Sequence, residues 1–218
     1  MELEEYLQMT FPGLILKPSL YHQWENALHF EFVREMKSDS YKDGKFNRVH
    51  SQALAIFNDL FSEKDGMFLV TNVYHRKRMK RKTKPIKVYQ RSIKDKHLKY
   101  NVKHVTLPFV FAEEEDAGDY YTSRFSLQCL KRDIRPLSLI KAACNEDFDR
   151  KPKFGGINGS YYPDVFFVNS TKNIIFFIYD DRGCEVIAAN REVLHPIYKR
   201  YNKWVGEDDK AKMERFFE

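Results

Sequence analysis

Apolar and polar positions alternate with two different periods along the chain, and these periods predict both strands and helices. Leu28, Phe30 and Phe32 alternate with polar neighbours, which predicts a half-buried strand over residues 27–33. Between residues 49 and 60 the apolar positions recur every three or four residues, which predicts a helix with one buried face. That face consists of Val49, Ala53, Ile56, Phe57 and Leu60.

The same patterns predict elements elsewhere in the chain. Helices are predicted at 2–9, from Pro136, from 190 to 204 and around 213–217, and strands at 67–74, 98–102 and 125–129. The polar stretch 37–45 is predicted to be a loop. In the helix that begins at Pro136, the predicted buried face consists of Leu137, Ile140 and Cys144. Pro196 is expected either to kink the helix after Asn190 or to delay its start.

The clearest pattern lies near the C-terminus. Apolar runs at 165–168, 174–179 and 184–189 are separated by the turn-forming stretches 169–173 and 180–183, which predicts a three-stranded antiparallel meander. Its central strand is apolar on both faces, so both faces should be covered, and helices are the expected cover. We therefore predict an α+β fold: an antiparallel sheet that includes this meander, packed by helices, in a single domain over residues 1–218.

Composition fits a packed intracellular protein. The chain has 218 residues, of which 43% are hydrophobic and 15% aromatic, so it can bury a substantial core. Its three cysteines form no CxxC pair, which indicates reduced thiols rather than a disulfide framework. The acidic N-terminus does not resemble a signal peptide, and the longest apolar run has six residues, too few for a membrane span. The expected location is cytoplasmic, with no membrane partner.

Three stretches carry a resemblance to a known family. They read FPGLILKPSLYHQWENALHFEF, SRFSLQCLKRDIRPLSLIKAACNEDF and VFFVNSTKNIIFFIYDDRGCEVIAANREVLHPIYKRYNKW, in that order. Together they resemble the bacterial family called domain of unknown function 3885, over nearly the whole chain. The resemblance implies a single bacterial domain and implies no mechanism.

Charge is distributed unevenly. Residues 76–103 contain thirteen Lys or Arg and one acid, a net charge of +12, whereas the whole chain carries +6 and the remainder therefore −6. We expect this segment to form one separate basic arm. The candidate binding residues at its start are Arg76, Lys77, Arg78, Lys80, Arg81, Lys82 and Lys84.

Three interpretations of the basic segment remain open. It could bind nucleic acid non-specifically, with Tyr89 and Tyr100 stacking on bases. It could instead dock an acidic protein, attracted by the electrostatic field of the same positive charges. It could instead be a solvated connection without a ligand. The acidic run 113–116, followed by Asp119, is expected to be an exposed loop, with the alternative that it covers the basic segment in cis.

A carboxylate cluster is the main catalytic candidate. Asp180 and Asp181, with Asp164 and Glu185 nearby, suggest a metal-dependent nuclease, but no lysine follows at the required spacing. Turn chemistry explains all four residues of the run 180–183, because Asp bonds its own backbone and Gly permits a positive φ. The turn is the favoured interpretation.

The remaining candidate site is a pocket formed by loop residues: Trp24, Tyr162, Asp180, Asp181 and Arg182. The seven histidines are dispersed without zinc-ligand spacing, and no nucleotide-binding or nucleophile motif occurs, so no cofactor and no metal are expected. Among the cysteines, Cys184 directly follows the turn residue Gly183 and is the one that merits a test of reactivity.

Taken together, these observations favour a non-enzymatic protein-binding module. The first alternative is a nucleic-acid-binding protein that uses segment 76–103, and the second is a carboxylate-dependent enzyme such as a nuclease. The expected partner is another protein, with nucleic acid as the alternative.

Overall fold

A seven-stranded antiparallel sheet organises the molecule in the computed structural model, which describes residues 1–32, 42–78, 87–154 and 162–217. The strands are β1 (Ala27–Glu31), β2 (Gly66–Arg76), β3 (Lys103–Pro108), β4 (Tyr120–Leu130), β5 (Asp164–Asn169), β6 (Ile174–Asp180) and β7 (Gly183–Ala188). Their spatial order is β1-β7-β6-β5-β2-β4-β3, and every neighbouring pair is antiparallel. The predicted α+β class and the C-terminal meander are confirmed.

Helices pack on both faces of this sheet. They are α1 (Leu3–Thr10), α2 (Leu20–Gln23), α3 (Lys42–Leu60), α4 (Lys87–Ser92), α5 (Pro136–Cys144), α6 (His195–Tyr201) and α7 (Glu207–Phe217). Short 3₁₀ turns lie between several of them, including Leu98–Asn101. No helix of the described residues is long and apolar enough to cross a membrane.

The central strand β6 is enclosed on both sides, as its composition requires. On one face Phe176 packs near Phe57 of α3, with 6.1 Å between the ring centroids. On the other face of the sheet, Tyr6 of α1 packs on Phe68 and the backbone N–H of Leu20 in α2 donates to Glu185 of β7. Burying apolar side chains on both faces supplies most of the stabilisation of such a strand.

The five apolar positions predicted for the buried face of α3 are all at most 1% exposed. At its start the loop prediction is wrong for residues 42–45, which lie in the helix; residues 37–41 lie outside the described part. Asn190 caps a 3₁₀ turn rather than a long helix, and α6 begins only at His195, directly before Pro196. Proline is tolerated there because it needs no backbone N–H in a first turn.

Two predictions differ from the structure: the strand over residues 98–102 and the buried face of α5. The predicted strand 98–102 is wrong, because Leu98–Asn101 forms a 3₁₀ turn and β3 begins at Lys103. Leu98 and Val102 pack against the core while Tyr100 is 86% exposed, so the apolar spacing is four rather than two. In α5, Leu137 is 44% exposed and Leu139 is fully buried in its place.

Candidate functional site

The basic segment does not form one separate arm in its described part. Its first residues end β2 and meet the acidic turn before β4: Arg76 forms an ion pair with Asp119 at 3.6 Å, and Lys77 Nζ donates to the carbonyl of Gly118. These contacts come from Gly118 and Asp119, residues 76–78 stay exposed, and Glu113 of the acidic run pairs instead with Lys17 at 2.5 Å. Lys80, Arg81, Lys82 and Lys84 lie outside the described residues.

The middle of the segment folds into the core through α4. Val88 and Tyr89 are buried, while Lys87 and Arg91 on the same helix are exposed. The Tyr89 hydroxyl lies between two carbonyl acceptors, Leu69 C=O at 3.0 Å and Phe125 C=O at 2.9 Å, which anchors α4 to two strands. The expectation that Tyr89 stacks on bases is therefore wrong, whereas the exposed Tyr100 remains accessible.

Tertiary contacts add cations from a second part of the chain. The backbone N–H of Lys94 donates to Asp133 C=O at 2.9 Å, and Lys94 Nζ donates to Arg132 C=O at 2.6 Å. Arg135 donates from its guanidinium to Arg91 C=O at 3.1 Å. These bonds join α4 and the following turn to the connection between β4 and α5. We call the resulting patch the basic surface: Lys87, Arg91, Lys94, Lys96, Lys99, Arg132 and Arg135.

Beside the basic surface lies the exposed strand β3. It pairs with β4 alone among the described strands, and every residue except Leu107 is classed as exposed. Val105 is 37% exposed, and the His104 ring stacks on Phe125 at 4.5 Å. An exposed strand of this kind offers both side chains and backbone groups to a partner.

The candidate carboxylates at 180 and 181 belong to a tight hairpin between β6 and β7. Asp180 accepts a hydrogen bond from the backbone N–H of Arg182 at 2.7 Å and is also paired with the Arg182 guanidinium, while Asp181 pairs with Lys45 Nζ at 2.7 Å. Gly183 is required for close approach, since a Cβ there would collide with the carbonyl of Phe30. Its φ is not positive, in contrast to the turn expectation.

This hairpin contributes to an open polar cleft of about 550 Å³ at the edge of the sheet. The cleft is lined by His29, Glu31, Phe32, Lys45, Tyr179, Asp181 and Arg182. His29 lies at its centre: Nδ1 is 3.3 Å from Asp209 Oδ2 and Nε2 is 2.9 Å from the Tyr179 hydroxyl. Because a carboxylate only accepts, the hydrogen bond to Asp209 requires the proton on Nδ1, and Nε2 is within hydrogen-bond distance of the Tyr179 hydroxyl.

The Asp209–His29–Tyr179 chain has the connectivity of an activated nucleophile but not its electrostatics. Burial, with smaller contributions from nearby Cys184 and carboxylates, raises the pKa of Tyr179 well above its usual value. The hydroxyl is therefore harder to deprotonate than that of an ordinary tyrosine, which disfavours it as a nucleophile. Asp209 also accepts from the Tyr21 hydroxyl at 2.9 Å, so the chain ties α7 to β1 and α2.

The five predicted pocket residues do not converge. Asp181 and Arg182 line the cleft and Asp180 holds Arg182, but Trp24 donates from Nε1 to the carbonyl of Ala188, at the other end of β7. The five-residue step from Gly183 to Ala188 separates the two places by roughly 17 Å. Tyr162 is not among the residues of the cleft; its ring faces the Lys153 ammonium, 6.0 Å from the ring centroid.

Each of the four candidate carboxylates has partners of its own outside the set. Asp180 and Asp181 have the partners named above, Glu185 accepts from Leu20 N–H at 2.8 Å, and Asp164 accepts from the Tyr74 hydroxyl. Within the described ranges, no group of three His, Cys, Asp or Glu is arranged to hold a metal ion. Burial raises the pKa of Asp164 to about 7, although the Tyr74 hydrogen bond lowers it. Burial, together with the charge of Asp164, raises the pKa of Glu146 to about 8.

All three cysteines are buried, including Cys184, whose place after Gly183 had made it the one to test for reactivity. Cys184 is in β7 and is fully buried. Burial raises the pKa of all three thiols, that of Cys129 to about 12. Such thiols are inert at neutral pH because the reactive species is the thiolate.

Comparison with known proteins gives a family for this chain. The model of the family described as Domain of unknown function (DUF3885) matches residues 3–209. The chain belongs to the DUF3885 family. A relative from Bacillus subtilis (strain 168), described as "Uncharacterized protein YnaE", is 46% identical over 211 residues, which are 95% of this chain and 98% of the relative. No solved structure matches the chain.

Several residues of this DUF3885 protein acquire a possible role only through its tertiary structure. Arg132 and Arg135 are separated in sequence from the basic segment, and their only local signal was the positive charge of residues 131–135. His29 was recognisable as a polar position on a strand. Asp209 gave no local signal, because its partners Tyr21 and His29 are 188 and 180 positions away.

Proposed function

We propose that this DUF3885 protein is a non-enzymatic binding module for an acidic protein partner, and that the partner docks on the basic surface. The observation that carries this proposal is the joining of α4, the following turn and the β4–α5 connection into one patch, in which the seven Lys and Arg of the basic surface outnumber the acids Asp95 and Asp133. Patches of one sign attract partners of the opposite sign and raise the rate of association. The proposed location of the protein is the cytoplasm.

The composition of the patch favours a protein over a nucleic acid. Tyr89 is buried, which leaves Tyr100 as the accessible member of the pair that could stack on bases. Non-specific nucleic-acid sites combine cations with several stacking aromatics along a groove. Protein interfaces instead combine Arg and an exposed aromatic with scattered apolar side chains, and Tyr100 with Val105 meets that description.

The cleft supports a structural role better than an enzymatic one. Burial makes Tyr179 harder to deprotonate than an ordinary tyrosine, and Asp181, one of the carboxylates that line the cleft, is paired with Lys45. The network at His29 connects α7, β1 and α2, which is a sufficient reason for its presence.

Fluorescence anisotropy tests the proposal with three labelled probes: poly-L-glutamate of about twenty residues, single-stranded DNA of the same charge, and duplex DNA. The test variant reverses two exposed charges of the basic surface, Arg91→Glu with Lys96→Glu. The matched control reverses two exposed charges elsewhere, Lys199→Glu with Lys203→Glu.

We expect wild-type protein to bind poly-L-glutamate more tightly than either DNA probe. Each reversal replaces an attraction with a repulsion of similar size, so the test variant should bind about tenfold more weakly and the control within about twofold of wild type. Tighter binding of DNA, or equal loss in the two variants, would overturn the proposal.

A further inference from the structure

Strand β3 ends the sheet, and its outer edge is not paired with any strand of the described chain. Edge strands of this kind present unpaired backbone N–H and C=O groups to their surroundings. The alternation of hydrogen bonds in an antiparallel sheet determines which residues of β3 turn these groups outward.

The hydrogen bonds of β2 and β4 fix that alternation. Lys77 N–H donates to Asp119 C=O at 2.7 Å, so residues 77 and 119 form a hydrogen-bonded pair. The register of β2 and β4 continues without a break from this pair. The odd-numbered residues of β4 therefore direct their backbone N–H and C=O groups toward β2. The even-numbered residues of β4 direct their backbone groups toward β3, where Val105 is opposite Arg124 and Leu107 is opposite Thr122. The backbone groups of His104 and Thr106 consequently point away from the sheet.

The residues at the two ends of β3 limit the uncontrolled addition of strands from other chains. Lys103 begins the strand, and Pro108 ends it without an N–H group. Lysine and proline at an edge are devices that prevent uncontrolled strand addition. Between them, His104 and Thr106 keep their N–H groups, and the exposed side chains of β3 would contact an added strand on both faces.

We propose that an extended acidic segment of the protein partner adds to β3 as an eighth strand of the sheet. This inference rests on the proposed function and specifies how that partner binds. Strand addition supplies affinity through main-chain hydrogen bonds, and side chains supply specificity. Here the specificity is electrostatic: Lys103 on the strand forms an exposed ion pair with Glu2 that an acidic segment would replace, and Lys99 lies in the turn before the strand. Cross-strand pairs of opposite charge are favourable.

A second copy of the chain is the less favourable occupant. An antiparallel pair of β3 strands would place the positive charges that surround one strand next to those of the other. Like charges opposite each other destabilise a strand pair. An acidic segment meets the same surface with attraction, so charge complementarity selects it.

Amide hydrogen exchange of the ¹⁵N-labelled full chain tests the proposal. The probe is a capped nine-residue peptide in which glutamate alternates with valine and threonine. We expect the N–H groups of His104 and Thr106 to exchange at least about tenfold more slowly with peptide bound, because each gains a hydrogen bond. The N–H groups of Val105 and Leu107 already pair with β4, and their exchange should change little.

Two matched variants separate the backbone from the side chain. Thr106→Pro removes one outward N–H, and we expect peptide affinity to fall at least fivefold. Thr106→Val keeps the N–H and should bind within about twofold of wild type. Two modified peptides complete the design and also serve if Thr106→Pro does not fold. One peptide carries N-methyl groups on alternate residues, and the other has lysine in place of glutamate. Both should bind wild-type protein at least fivefold more weakly than the original peptide does.

The outcomes distinguish the two proposals. Equal binding of the peptide by wild type and a folded Thr106→Pro variant, or undiminished binding of the N-methylated peptide, overturns strand addition. If Arg91→Glu with Lys96→Glu still weakens poly-L-glutamate binding, the proposed function survives that result. Equal affinity for the lysine peptide overturns the charge argument. A wild-type dimer that Thr106→Pro dissociates would show that a second copy occupies the edge, which also overturns the inference.

Discussion

Asp209 in α7 accepts a hydrogen bond at 2.9 Å from the hydroxyl of Tyr21, which lies 188 positions earlier in the chain. The other carboxylate oxygen of Asp209 is 3.3 Å from His29 Nδ1. One side chain thus connects the last helix to α2 and to the edge strand β1. Contacts of such long sequence separation hold a terminal helix in place that would otherwise fray.

Replacing Asp209 with alanine should therefore loosen α7. We expect a loss of about 1–2 kcal/mol in the free energy of unfolding, because two partners lose their acceptor. Urea unfolding measures the loss, and amide exchange in α7 locates it. Glu214→Ala, on an exposed part of the same helix, is the control and should stay within about 0.5 kcal/mol of wild type. Equal exchange rates in the two variants would contradict the role of Asp209.

The partly buried carboxyl of Asp164 should make stability depend on pH. Its pKa rises from 3.8 to about 7 in the folded protein, chiefly through burial. Between these values the folded state binds more protons at this carboxyl than the unfolded state, so the contribution of Asp164 to stability is complete below about pH 4 and is lost as the pH rises through about 7. Glu146, with a pKa of about 8, acts in the same direction.

The variant Asp164→Asn tests this pH dependence, because its amide oxygen still accepts from Tyr74 and it carries no charge. We expect most of the decline in stability with rising pH to be absent from the variant. At pH 8 its free energy of unfolding should exceed that of wild type by about 1–2 kcal/mol. Urea midpoints at pH 5 and pH 8 provide the measurement. Asp149→Asn, at an exposed position, is the control. A decline in Asp164→Asn as steep as that of wild type would reject the assignment.

Two leucines of α5 should differ sharply in their contribution to stability. Leu139 is fully buried, whereas Leu137, two positions earlier, is 44% exposed. We expect Leu139→Ala to cost about 2–5 kcal/mol, since it creates a cavity, and Leu137→Ala to cost about 1 kcal/mol or less. Thermal or urea unfolding of both variants measures the difference, and equal losses would place the wrong face of α5 in the core.

The three thiols should be unreactive in the folded protein. Cys129, Cys144 and Cys184 are buried, and burial raises their pKa values. We expect Ellman's reagent at pH 8 to modify essentially none of them without denaturant and all three in concentrated urea. Rapid reaction of Cys184 in folded protein would show that β7 opens far more readily than its burial indicates.

Local patterns predicted the meander correctly because its information is local. The strands 165–168, 174–179 and 184–189 are apolar runs separated by turn residues, and hairpin neighbours are adjacent in sequence. The face of α3 was equally predictable, since a single helix repeats every 3.6 residues. Leu98 and Val102 misled the prediction because two apolar residues four apart fit either period when Tyr100 lies between them.

The sequence alone determined which sides of most elements are apolar, the antiparallel meander, and an excess of positive charge between residues 76 and 103. Only the tertiary structure decided that Tyr89 faces inward, that Arg132 and Arg135 extend the same patch, and that Asp209 reaches His29. The physical reason is range. Hydrophobic periodicity indicates which side of a single helix or strand faces the core and which faces water. Contacts between residues distant in sequence depend on how all the elements pack together.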